Sequence, residues 1–140
     1  MAVDQIAIAR SMLDYVNAWP SKPAPFALEG LLKEAPGAML LQLASSGVLK
    51  RYIDGSYIGV WSFAVYIRLN KADTGDKLEA LDLYEDLLKY FKRGLPELCS
   101  GAEAITIELL TTPALAAAYD DGSEDYQATY RLQYKAQRMG

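Results

Sequence analysis

The chain has 140 residues, 51% of them hydrophobic, which suits one domain with a single buried core. A net charge of −4 and a pI near 4.8 argue against broad affinity for nucleic acid, because that affinity comes from Lys and Arg displacing counterions from phosphates. Histidine is absent and Cys99 is the single cysteine, which removes Ser-His-Asp and Cys-His nucleophiles, a zinc site within one chain and an internal disulfide.

The N-terminal MAVDQIAIARSML carries an early acid and no long apolar core, so it does not read as a secretory signal. No run reaches membrane-spanning length, and the chain reads as a protein of the cytoplasm. From Ala2 to Ala18, the residues Ile6, Ala9, Leu13 and Val16, with Met12 alongside, have the spacing of one stripe on an amphipathic helix. Trp19-Pro20 ends that helix, because a residue before proline is pushed away from helical dihedrals. SKPAPF continues as a stiff connector, and residues 26–38 stay open between helix and loop.

AMLLQLAS and VLKRYI read as extended runs, separated by Ser45-Ser46-Gly47. After Asp54-Gly55-Ser56 comes the longest strand-like run, Tyr57 to Leu69. In it Trp61, Phe63, Val65, Ile67 and Leu69 alternate with Ser62, Ala64, Tyr66 and Arg68. The first set must face a core; the second is either thinly covered or reserved for a partner.

The spacing predicts a helix over Thr74 to Arg93, with Leu78, Leu81, Tyr84, Leu87, Leu88 and Phe91 as its buried stripe. Asp76 with Glu79 resembles a capping box, acids precede bases along the helix, and Gly94 and Pro96 end it. Two further strands follow, Ile105 to Thr112 and Asp125 to Ala136. Between them PALAAAYDDGSED either begins as a helical turn or continues as strand, ending in an acidic loop centred on Gly122. The order α-β-β-β-α-β-β gives an α+β domain: a single mostly antiparallel sheet with helices on one face.

Candidate sites are few. Asp120, Asp121, Glu124 and Asp125 form the densest cluster of acids, but the run lacks the spacing and length of a calcium loop and reads as a solvated hairpin loop, leaving room only for weak divalent binding between subunits. Asp54 has a simpler role than catalysis, since Asp-Gly supports a tight hairpin turn. Cys99, in GLPELCSG, lacks a base and reads as an ordinary free thiol. There is no phosphate loop or dinucleotide fingerprint, and no cofactor is expected. The 10 tyrosines raise the idea of base stacking, yet Tyr126, Tyr130 and Tyr134 share a strand face with Ala128 and Leu132, which makes them core or interface.

The extended run VLKRYIDGSY, the aromatic strand WSFAVYIRL, the helix LEALDLYEDLLKYF and the closing strand YQATYRLQYKA, in that order and over nearly the whole length, resemble the tail-terminator proteins of long-tailed bacteriophages and prophages, often labelled minor capsid or minor tail proteins. The resemblance implies a single tail-terminator-like domain over residues 1–140 and assembly without enzymatic chemistry. It implies a virion protein, assembled in the bacterial cytoplasm, whose copies form a sixfold ring. That ring caps the tail tube, stops its growth and meets the head connector protein.

Genomic DNA would pass through such a ring without adhering, and the acidic loop Asp120, Asp121, Glu124 and Asp125 offers a lumen wall that repels phosphate. Ring contacts are expected from Arg51, Tyr57, Tyr66 and Arg68, since arginine and large aromatics are favoured at interfaces. Two other classes stay open on the sequence: a monomeric module binding a small molecule or peptide between helices and sheet, and a hydrolase built on an unrecognised carboxylate pair.

Overall fold

The computed structural model describes residues 5–28, 37–43, 46–69, 74–98, 101–120 and 122–136. Cys99 and Asp121, and the side chains of Asp76, Leu78 and Glu79, lie outside what is described. The elements are α1 (Gln5–Asn17), β1 (Phe26–Leu28), β2 (Gly37–Gln42), β3 (Gly47–Arg51), β4 (Tyr57–Leu69), α2 (Thr74–Arg93), β5 (Ala102–Ala118) and β6 (Glu124–Ala136). They form one six-stranded sheet in the order β1-β2-β4-β6-β5, with β3 also pairing β4.

The α+β class and the mostly antiparallel sheet match expectation, but the order gains a strand: β1 precedes β2 and pairs with it in parallel, Phe26 opposite Ala38 and Leu28 opposite Leu40. Three residues are too few to reveal a period of two in the sequence. The side chain of Asn17, at the end of α1, sets β1 in place: its Oδ1 accepts from the Phe26 N–H at 2.7 Å and its Nδ2 donates to the Phe26 carbonyl at 3.3 Å.

β4 is the spine. β6 pairs along its entire length, from Tyr57 opposite Ala136 to Leu69 opposite Glu124, while β3 and β2 share the other side. Directly opposed residues point to the same face. Trp61, Phe63, Val65 and Ile67 therefore join Leu132, Tyr130, Ala128 and Tyr126 in one buried apolar layer.

Both helices cover this layer. Phe91 of α2 meets Phe63 and Tyr130 edge-on, with centroids 6.2 and 5.2 Å away, and Phe63 stacks on Trp61 and Tyr130. The Tyr84 hydroxyl lies 2.8 Å from the carbonyls of both Val65 and Tyr126 and shares its proton between them, tying α2 to the two central strands. Burial pushes that phenol well above its usual range.

α1 is clasped to α2. Tyr15 stacks on Tyr90 at 4.8 Å, the Tyr90 hydroxyl donates to the Tyr15 carbonyl at 2.7 Å, and Trp19 Nε1–H donates to Asp86 at 2.6 Å. The buried face of α1 is Ile8, Ala9, Met12 and Val16; Ile6 is exposed and Leu13 half-buried. The apolar stripe is thus centred about a third of a turn away from Ile6, and the alternating Ile6 and Ile8 cannot both face inward on one helix. On α2 the buried residues are Ala80, Tyr84, Leu87 and Phe91, whereas Leu81 is exposed.

Candidate subunit interface

The loops at the two ends of the β4–β6 pair are built alike. Tyr52-Ile53-Asp54-Gly55-Ser56 joins β3 to β4, and Tyr119-Asp120-Asp121-Gly122-Ser123 joins β5 to β6. In each, the tyrosine N–H donates to the serine carbonyl, at 2.9 and 3.0 Å, and the glycine N–H donates to the tyrosine carbonyl, at 3.0 and 2.9 Å. Gly55 and Gly122 both have φ of 90°, the left-handed conformation that closes such a loop and that side chains resist. At the first loop Asp54 Oδ1 also accepts from the Ser56 N–H and Oγ–H, at 2.9 and 2.6 Å, and these bonds hold its carboxyl below the usual carboxylate range.

The first loop thus holds an apolar tip rigidly in solvent. Ile53 is 108% exposed, Tyr52 and Leu49 are exposed, and Lys50 and Arg51 lie over the rings of Tyr52 and Tyr57. Its root is packed against glycine: the Tyr134 ring lies over Gly59, where a Cβ would come within 2.4 Å of the ring carbon Cζ. That close approach explains a glycine in the middle of an otherwise bulky strand.

The second loop is rooted in charge. Arg68 Nε and Nη2 donate to the two oxygens of Asp125, at 2.6 and 3.0 Å, with both side chains at least 86% buried. Tyr119 lies under the guanidinium, 4.5 Å from its centre, and gives its hydroxyl proton to Asp125 at 2.6 Å. The Asp125 carboxylate keeps Arg68 charged across the accessible pH range, and the Tyr119 phenol, hydrogen-bonded to the same carboxylate, is raised above its usual value.

These placements sort the residues picked from the sequence. Arg51 is exposed and Tyr66 half-buried, whereas Tyr57 is buried and Arg68 is committed to Asp125 inside the fold. In the acidic loop Asp120 is exposed, Glu124 accepts a 2.8 Å hydrogen bond from Tyr126, and Asp125 is buried under Arg68 and Tyr119. Among the described residues no group of three or more His, Cys, Asp or Glu side chains is arranged to hold a metal ion.

The second face of the sheet carries no helix among the described residues, yet Ser62 and Ala64 on it are buried. Ser46 lies beside β4 where β2 gives way to β3, its Oγ accepting from the Ser62 N–H at 2.9 Å. A groove runs beside it, with Val48 and Leu49 on one side, Leu110 on the other and Val60 and Arg131 between them. β5, the edge strand that supplies Leu110, also exposes Ile105, Leu109 and Leu115. Sequence reading missed this surface. Repeated bulges along β5 break its alternation, so the exposed side chains do not fall on one face in period two.

Comparison with solved structures gives the same architecture in a particle. The chain is similar in fold to a chain of the virion of a native gene transfer agent particle. The likeness covers 94% of this chain and 94% of that one, with a TM-score of 0.50 and 8% sequence identity. At that identity it is a likeness of fold. No protein-family model matches the chain, and no curated protein matches its sequence. Among the described residues no helix is long and apolar enough to cross a membrane.

Proposed function

We propose that this protein is a structural component of a phage-like virion, without enzymatic activity, that closes the tail tube as a homo-oligomeric, sixfold ring and joins it to the head connector protein. The observation that carries the reading is the likeness in fold, over 94% of both chains, to a chain of a gene transfer agent virion. The surface supports it too: a fully exposed isoleucine on a hydrogen-bonded loop and several exposed leucines and an isoleucine along an edge strand are features that association covers. Residues Asp120 and Glu124 then face the passing DNA as a repulsive wall, while Asp125 holds Arg68.

The test is tube length. Tube protein polymerised with this protein present should give tubes that stop growing and carry one density cap per end, seen by electron microscopy. Tubes that grow equally long and uncapped would overturn the proposal.

A further inference from the structure

β5 ends the sheet, so one side of its backbone has no strand to pair with. Such an edge is a template for another chain, and proteins close it with short strands, charge, proline, bulges or a covering element. β5 is not short: it runs for 17 residues, of which Ile107 alone is buried. It is hardly charged either. Its acids are Glu103 and Glu108, the second engaged by Arg131 and Gln133, and the run LLTTPALAAAY from Leu109 to Tyr119 carries no charge at all. An uncharged, largely apolar run of that length on an open edge is a hazard for pairing between copies.

We infer that the bulges of β5, together with Pro113, guard this edge and keep copies of the chain from pairing strand to strand. The inference concerns the free chain and does not depend on the ring reading above. Contact through the side chains of β5 is left open; what the guard closes is pairing through the backbone.

The guard is visible in the register. β5 uses 17 residues to span the 13 of β6, and the four in excess are taken up at four register shifts. Ile105, Leu110 and Ala116 each fall between paired neighbours, and Thr112 and Pro113 share the single position between Thr129 and Gln127. The longest stretch without a shift is Thr106 to Leu109. A bulge bends and twists its strand, so a straight incoming strand would keep register over about four residues, fewer than the five or six of a usual strand. Pro113 has no N–H to offer a partner, and it stands inside the uncharged run, where no acid or base is present to repel one.

Deletion tests the guard, because removing extra residues straightens β5 and leaves its pairing with β6 in place. Without Leu110 and Pro113, Thr106 to Leu115 become one regular run of eight residues, each opposite a residue of β6. At matched concentration this protein should form thioflavin-binding aggregates at least ~10-fold faster than the parent chain, while the freshly purified monomer keeps the parent's circular dichroism spectrum. Leu115→Lys added to the deletion should return the rate to the parent's, since a lysine on the edge opposes pairing. The deletion also removes the exposed Leu110, so aggregation driven by apolar side chains would slow where the guard predicts a rise.

A folded double deletion that aggregates no faster than the parent would overturn the inference, and so would a rise that Leu115→Lys leaves untouched. If the double deletion does not fold, deletion of Pro113 alone decides: faster aggregation of the folded protein supports the guard, and the parental rate overturns it. Capping of tail tubes by the parent chain is a separate readout, so the tube-closing role stands or falls independently of either result.

Discussion

The two Tyr-x-Asp-Gly-Ser loops share a backbone and differ in what they carry. At one end of the β4–β6 pair the loop presents Ile53 just beyond the basic pair Lys50–Arg51 and is rooted on Tyr134 packed over Gly59; at the other it presents acids and is rooted on the buried Arg68–Asp125 pair. The same turn chemistry serves two purposes because the loop's hydrogen bonds involve the backbone, glycine and serine, leaving the second residue free to be chosen for its surroundings. The root decides how much of the fold depends on each loop.

The acidic end should be the more costly to disturb. Asp125→Ala strands a nearly buried guanidinium, and urea denaturation should record a loss of about 3–5 kcal/mol. A loss below about 1 kcal/mol would mean that water replaces the carboxylate and that the root is not ionic. For the same reason Arg68→Glu would set two carboxylates against each other, so its effect on assembly cannot be separated from its effect on folding.

At the apolar end, Gly59→Ala forces a Cβ into the Tyr134 ring and should cost about 1–3 kcal/mol in the same assay. The double variant Gly59→Ala with Tyr134→Leu should recover part of that loss if ring contact is the cause. Midway between the loops, Tyr84→Phe removes the proton shared by the two carbonyls and should cost about 1–2 kcal/mol while leaving both loops intact by amide exchange.

The acid response distinguishes the loops further. Because the folded carboxyl of Asp54 titrates below its unfolded counterpart, its bonds to Ser56 contribute fully above the usual carboxylate range and are lost as the pH falls through the lower folded value. The Ser56 amide resonance should therefore hold steady from neutrality down to about pH 4 and shift only below it. A shift centred above pH 4 would show that the Asp54 bonds do not order the loop. The smallest effect belongs to Ile53→Ser, which should leave monomer stability within about 0.5 kcal/mol, since the side chain touches nothing it could stabilise.

Much of this was legible in the residues. Tyr57 to Leu69 and Thr74 to Arg93 follow their periods over 13 and 20 residues, and both elements have those bounds. The tyrosines of β6 alternate with polar residues, and Tyr126, Tyr130 and Tyr134 are buried as that pattern requires. What escaped was short or irregular. β1 has three residues and depends on a side-chain clamp from Asn17; β5 runs to Ala118 through Pro113 and several bulges, where the pattern allowed a helical turn as readily as a strand.

The candidate interface was half legible. Asp54-Gly55 marked the loop that projects Arg51, but partner choice within the fold is a property of three dimensions. Nothing local in the sequence tells that Arg68 meets Asp125, 57 residues away, instead of a neighbour.

Cryo-electron microscopy of the protein bound to tail tubes tests the central claim most directly. The account predicts a closed ring of six copies seated on the tube end. A protein that stays monomeric and leaves the tube ends bare would contradict it.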